Sequence, residues 1–316
     1  MQKKIMLGIS TCLLGEKVRY DGGHKLDHYL KETLGRYVEW VPVCPEADMG
    51  LPVPREPMRL VGDPASPRLV TIRSRVDYTD RMIRWAEALM RRLSRMDLRG
   101  FIFKSRSPSS GMKGVRVYGD SGVPSGTGAG IFAREFMRHF PLLPVEDDGR
   151  LRDPSVRENF IERIFVYKRW HDSIREGSSM KDLVSFHTDH KLLIMSHSPR
   201  HYAMLGRLVA KGKHYIFSKL CSEYITILME GLKLIATTRK NTNVLHHIMG
   251  YFKKHLSADE SREMLGIIGE YHGGLMPLIV PVTLLNHYVR KYGEPYLKRQ
   301  YYLNPHPLEL MLRNHA

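Results

Sequence analysis

Cysteine is scarce in this sequence. Only Cys12, Cys44 and Cys221 occur among 316 residues. An odd number at wide spacing argues against a disulfide framework and fits a reducing compartment. CxxC pairs are missing, which disfavours zinc. No apolar run approaches the roughly 20 residues that a membrane-spanning helix needs. The apolar run at 5–9 is short and no small-residue cleavage site follows it, so a first strand is expected there and not a signal peptide. Internal repeats and low-complexity tracts are absent. The GTGAG stretch at 126–130 is neither GxGxxG in a first βαβ unit nor a Walker sequence, so a close-packed turn is expected there and not a dinucleotide site. These absences imply a cytoplasmic protein without a membrane segment.

Acid is also in short supply. Lys and Arg number 49 against 33 Asp and Glu, a net charge of +16. The surplus is seven up to Arg150 and nine beyond it, so it is not a tail. A protein this basic is expected to attract polyanions, with nucleic acid the leading candidate.

The chain is long enough for two domains. Up to about residue 148, short β-favouring runs alternate with helical spacing. Strands are expected at 5–10, 37–43, 69–72, 101–103, 115–118 and 141–145. Helices are expected at 27–34, at 81–96 with Thr79 as N-cap, and at 131–139. Alternation implies an α/β domain with a mostly parallel sheet, so strands starting at 5, 37 and 101 share a direction and one carboxyl rim. From 149 onward strand signals vanish and an all-α domain is expected, with helices at 154–174, 180–195, 199–211, 215–237, 241–256, 257–271 and 277–292. Ser257 and Glu260 have capping-box spacing.

That rim carries the chemistry. Cys12 and Cys44 each follow a strand, and the polar loop 104–111, KSRSPSSG, follows a third. Buried free cysteines are usually inert, but two at equivalent strand ends can become thiolates beside Arg19, Arg55, Lys104 and Arg106. They can also ligate an iron–sulfur cluster. Glu46 is either a solvated loop carboxylate or a general acid/base. Ser107, Ser109 and Ser110 are either turn formers or holders of substrate. His187/His190 and His197/His201 have metal-compatible spacing, but no cysteine or carboxylate pattern completes a site. The histidine-rich helices are equally suited to RNA contacts. Cys221 is expected to pack in a helical core.

The segments GISTCLLGEKVRYDGG (8–23), VPVCPE (41–46), GLPVPR (50–55), KSRSPSSGMKGVRVY (104–118) and GTGAGIFAREF (126–136) resemble the TudS-type thiouracil desulfidases, long called domain of unknown function 523. The segments HKLLIMSHSP (190–199), NTNVLHHIMGYFKKHLS (241–257), PLIVPVTLLNHY (277–288) and YLNPHP (302–307) resemble the companion domain of unknown function 1722. The resemblance implies a desulfidase domain at 1–148 and a helical, tRNA-binding domain at 149–316. It implies hydrolytic removal of sulfur from thiouridine in tRNA, with 4-thiouridine the favoured substrate. Its cofactor is a [4Fe–4S] cluster held by three cysteines, with one iron lacking a protein ligand. Cys12 and Cys44 match two ligands, Glu46 the proton donor and Ser107 the serine near the substrate. Ser10, Arg19, Arg55, Lys104 and Arg106 stand as the substrate-binding candidates. The resemblance implies tRNA as partner, and neither a membrane nor a protein. The departure is Ser110, which stands where the family pattern SPSCG has the third cysteine. Three readings stay open: Ser110 ligates, the cluster is altered or lost, or the serine was introduced in place of cysteine. The alternative function is an RNA-binding protein without cluster or catalysis.

Overall fold

A computed structural model describes residues 4–119 and 121–314. Met1, Gln2, Lys3, Asp120, His315 and Ala316 lie outside the described residues. The chain divides into two compact units, Met1–Asp153 and Pro154–Ala316.

The first unit is built on two sheets. Strands β1 (Ile5–Ser10), β2 (Val38–Val43), β5 (Leu98–Phe103) and β8 (Val145–Asp147) pair in the order β2-β1-β5-β8. Every pairing in this sheet is parallel. Ser10 lies opposite Val43, and Ile9 opposite Ile102. The three expected strand ends therefore do share a rim, and Asp148 follows a fourth. The last strand begins where the expected edge strand ended, because residues 141–144 only lead into the sheet.

Strands β3 (Met58–Val61), β4 (Arg68–Thr71), β6 (Val115–Tyr118) and β7 (Pro124–Gly128) form a second, mixed sheet in the order β4-β3-β6-β7. Only the β3–β6 pairing is parallel. The expected turn at 126–130 thus lies largely within a strand. Gly126 and Gly128 have weak β propensity, and pairing with β6 overrides it.

Helix α2 (Thr79–Leu93) buries the predicted stripe of Met82, Ala86, Leu89, Met90 and Leu93. Thr79 is not its N-cap. Tyr78 holds that place, and the Thr79 hydroxyl accepts from Leu69 N at 2.8 Å. In place of the helix expected at 27–34 stand a π-helical turn (Tyr29–Thr33) and a 3-10 turn (Leu34–Arg36). Two helices lie nearer the rim, α1 (Pro45–Asp48) and α3 (Ile131–His139). Phe132 and Phe136 of α3 meet Phe101 and Phe103 of β5 at ring-centroid separations of 4.7 to 5.9 Å. Such pairs stabilise by about 0.5–1.5 kcal/mol each beyond area burial. They clamp the strand that carries the serine loop.

The second unit is helical: α4 (Pro154–Ser173), α5 (Met180–His197), α6 (Pro199–Ala210), α7 (Phe217–Leu232), α8 (Thr238–Tyr251), α9 (Ala258–His272), α10 (Ile279–Tyr292) and α11 (Pro295–Lys298). The Ser257/Glu260 capping box forms as the spacing predicts. Trp170 stacks on buried Tyr224 with centroids 5.2 Å apart. Among the described residues no helix is long and apolar enough to cross a membrane.

Candidate active site

The rim of the parallel sheet opens into a cleft of about 1130 Å³. The ten residues matched as ligands, catalytic groups or substrate-binding candidates line it: Ser10, Cys12, Arg19, Cys44, Glu46, Arg55, Lys104, Arg106, Ser107 and Ser110. Lys25, Lys113, Asp148, Arg150 and Arg152 line it too, and sequence reasoning passed over them.

Local structure explains the placement. After β1 the chain turns through a 3-10 helix at Thr11–Leu14, which buries Cys12 and ends at Gly15. Cys44 is the N-cap of α1, and its backbone N–H donates to Asp48 Oδ2 at 3.0 Å. That short helix starts at Pro45 and sets Glu46 beside the thiol, with Cys44 Sγ 3.7 Å from Glu46 Oε2. After β5, Ser10 Oγ accepts from Lys104 N at 2.8 Å and ties the first strand end to the third. Asp148 accepts from Lys104 Nζ at 2.7 Å and from Ser105 N at 2.7 Å. The loop then closes, with Gly111 N donating to Ser107 O at 2.8 Å.

Helix α3 fixes the loop from behind. Ile131 N donates to Pro108 O and Ala133 N to Ser109 O, at 3.2 and 3.1 Å. Gly130 allows this approach, since a Cβ there would lie 2.5 Å from the Ser109 carbonyl. Gly111 is equally confined, because its Cβ would meet Val115 Cγ2 at 2.3 Å.

Inside the loop the hydroxyls have separate partners. Ser109 Oγ donates to Glu46 Oε1 at 2.6 Å. Ser107 Oγ lies 2.9 Å from Ser109 Oγ, and Ser110 Oγ 3.3 Å from it. Ser110 N donates to Ser107 Oγ at 3.2 Å. Arg55 completes the setting of Glu46, with Nη2 3.6 Å from Oε2, while its Nη1 donates to Val18 O at 3.0 Å. Ser109 is the residue that composition hid most fully. It read as one turn-forming serine among several, and only the fold brings Glu46 to it.

Electrostatics decide between the two readings of the cysteines. Positive neighbours do not turn the cysteines into thiolates. Burial pushes the Cys12 thiol up to about 11, against the lowering charges of Lys104 and Arg19. Burial, then the Glu46 charge, push Cys44 up to about 12. Both are protonated thiols at neutral pH in the metal-free protein. By thiolate fraction, iodoacetamide at pH 8 is expected to label Cys12 roughly 10²-fold and Cys44 roughly 10³-fold more slowly than a free cysteine of pKa about 8.5. The rate should climb as pH rises toward 11. Labelling at the free-cysteine rate, read by mass spectrometry of the two peptides, would overturn this.

The donor set fits a cluster through two soft ligands, Cys12 and Cys44, and one hard hydroxyl, Ser110, which is 3% exposed. Loading must expel the thiol protons.

The histidine pairs of the helical unit do not form a metal site. His187 Nδ1 lies 3.0 Å from Tyr224 OH, and His190 Nδ1 2.7 Å from Phe186 O. His197 Nε2 meets Glu162 Oε2 at 3.0 Å, and His201 Nδ1 meets Ser198 Oγ at 2.8 Å. These rings satisfy buried polar groups. Glu158, Glu162 and His306 bring ligand atoms within 4.8 Å of one another. Arg313, however, bonds both carboxylates at 3.1 and 2.9 Å and already fills the cation's role there. Cys221 sits half-buried on α7.

Residues 7–148 match the family described as 2-thiouracil desulfurase, and residues 191–307 that described as protein of unknown function (DUF1722). The uncharacterized protein YbgA of Escherichia coli (strain K12) is 29% identical over 153 residues, 48% of this chain and 90% of that protein. The uncharacterized protein YbbK of Bacillus subtilis (strain 168) is 27% identical over 133 residues, 40% of this chain and 87% of that protein. Among solved structures, the [4Fe–4S]-dependent thiouracil desulfidase TudS is similar at 30% identity with a TM-score of 0.38, over 48% of this chain and 95% of its own.

Proposed function

Because this chain belongs to the proteins that join a 2-thiouracil desulfurase domain (residues 7–148) to a DUF1722 domain (residues 191–307), we propose that it removes sulfur hydrolytically from a thiolated uracil in tRNA, 4-thiouridine before others. The observation that carries the reading is the meeting of Cys12, Cys44, Ser110, Glu46 and Ser107 in one cleft. The net change adds water to the thiocarbonyl carbon and releases sulfide, so no electron donor is needed.

Cys12, Cys44 and Ser110 would hold a [4Fe–4S] cluster. When bound, it supplies an iron without a protein ligand, a Lewis acid for the departing sulfur. The other roles belong to side chains. Glu46, oriented by Ser109 and Arg55, holds and moves the proton. Ser107 offers its hydroxyl to the base. Arg19, Arg106 and Lys113 line the cleft and would supply positive charge for the backbone phosphates. The helical unit, with its own surplus of cations, grips the remainder of the tRNA. The cytoplasm supplies both the substrate and the reducing conditions that the free thiols require.

Ser110 favours a second reading, an RNA-binding protein that has lost its cluster. Anaerobic reconstitution with iron and sulfide, followed by thiolated tRNA, separates the two. Turnover predicts loss of the thiouridine absorbance and release of sulfide. Salt-sensitive tRNA binding with unchanged absorbance, while a Ser110→Cys chain turns over, would leave only the second reading.

A further inference from the structure

One stretch singled out in the sequence has no part in the cleft, the GYFKKH run at 250–255. Helix α8 ends there, and the turn from α10 into α11 lies against it. Two ring pairs join these segments, four residues apart on each. Tyr251 stacks on Tyr296 with centroids 5.2 Å apart and planes at 17°. His255 stacks on Tyr292 at 5.0 Å and 27°. The ladder is anchored from below, since Phe252 is fully buried and Tyr288 nearly so, with centroids 6.1 and 6.2 Å from Tyr292. Its outer members are open: Tyr251 is 44% exposed, and His255 is exposed as well. A staple between helix ends needs only apolar area, yet the charge around this one is of a single sign. The segments 250–256 and 290–299 hold six Lys or Arg and one acid, Glu294. Glu294 is taken up by its own helix, accepting from Tyr296 N at 3.2 Å. Lys291 pairs with Glu260 at 3.0 Å and Arg299 with Asp189 at 2.9 Å. Lys253, Lys254, Arg290 and Lys298 are exposed and make no ion pair among the described residues.

We propose that the end of α8 and the α10–α11 turn form a platform for unpaired nucleotides of RNA, with bases stacking on Tyr251 and His255 and phosphates held by Lys253, Lys254, Arg290 and Lys298. The proposal rests on the reading that the helical unit binds RNA, and it adds where and by what mode. Exposed rings among unpaired cations are what a single strand requires: a flat surface for each base and a charge for each phosphate. A duplex cannot use the rings, because its bases are already stacked on one another. Stacking tolerates any base, since every base has a π-face. The platform therefore grips unpaired RNA without reading its sequence. The rings are held ready by their partners Tyr296 and Tyr292, so little order has to be created on binding. The lysines stand at the C-terminal end of α8, where the helix dipole favours positive charge.

Binding is measured on the full metal-free chain, so neither cluster nor turnover enters. The probes are a fluorescein-labelled single-stranded oligouridylate, a blunt RNA duplex of equal length, and tRNA. The parent chain should bind the single strand more tightly than the duplex. Tyr251→Leu keeps apolar area against Tyr296 but removes the π-face, and should weaken single-strand binding about tenfold or more, as for one lost stacked base. Tyr251→Phe keeps the face and should stay within about twofold of the parent. The Lys253→Gln/Lys254→Gln double should lower the slope of log affinity against log salt by about 1.4, the share of two single-strand phosphates. Tyr251→Leu should leave that slope unchanged. The lysines are exposed, so their variant tests the platform even if Tyr251→Leu loses stability. A mere staple would show as a lower melting temperature at unchanged affinity, and that result overturns the proposal. Equal weakening by Tyr251→Phe and Tyr251→Leu overturns it too, as does a duplex bound as tightly as the single strand. Binding of tRNA by the parent and all variants alike removes the platform and leaves the tRNA reading standing. Binding of none of the three probes removes both.

Discussion

A Ser110→Cys chain reconstituted anaerobically will retain roughly tenfold more iron and sulfide, or greater, than the unaltered chain. The magnitude is a floor, since even a lost outer-shell partner typically lowers metal affinity about 10- to 100-fold, and here a direct donor is at stake. A thiolate is soft and forms at a pKa near 8.5, whereas a serine hydroxyl is a far weaker acid and, once ionised, a harder ligand. Everything else needed at this position is in place. Its backbone is set by the 3.2 Å bond from Ser110 N to Ser107 Oγ. The loop around it is held by α3 and by the close approaches at Gly111 and Gly130. Its side chain is nearly buried and makes one long contact, 3.3 Å to Ser109 Oγ. Exchanging oxygen for sulfur there removes little and adds the missing soft donor. Equal iron in the two chains would mean that Ser110 ligates as well as cysteine, or that Cys12 and Cys44 alone hold the metal.

The rim of the parallel sheet was legible because each part of it has a local signature. Ile5–Ser10, Val38–Val43 and Leu98–Phe103 are short β-favouring runs, and alternation with helices makes their directions agree. Once the directions agree, residues one or two beyond each strand meet, whatever the loops do. The second sheet was legible only in part: the strands expected at 69–72 and 115–118 are its β4 and β6, while β3 and β7 carry no such signature. Pro124–Gly128 is proline, serine, glycine and threonine, and it becomes a strand only because Val115–Tyr118 lies beside it. The thiol states stay open in the sequence for a related reason. Arg19, Arg55 and Lys104 are visible as charges in the sequence, but the burial that outweighs them is a property of the fold. The histidines show the same limit. Their spacing suits a metal, yet each meets a partner supplied by another stretch of chain or by its own helix turn. Ser109 is the sharpest case, since its partner Glu46 is 63 residues away in sequence and nothing local points to it.

The other large effect falls on Glu46 itself. Glu46→Gln should lower kcat by about 10²- to 10⁴-fold, the usual contribution of a positioned acid/base group. KM should stay within about threefold, because the amide keeps the shape of the carboxylate and an oxygen to accept from Ser109. Iron content should not change, since the donors are Cys12, Cys44 and Ser110. Stability should fall by no more than about 1–3 kcal/mol, as when a buried group loses a charged partner. Arg55 is 7% exposed at its side chain and gives up its 3.6 Å ion pair, but it retains Val18 O at 3.0 Å. Thermal unfolding and iron counting on the same preparation separate these effects from chemistry. Turnover within about twofold of the parent would remove Glu46 from the proton path. A fall in kcat matched by a fall in iron would assign Glu46 to the cluster instead. A fall in kcat alone, at full iron and near-full stability, is the outcome that the hydrogen bond from Ser109 and the 3.7 Å approach to Cys44 lead us to expect.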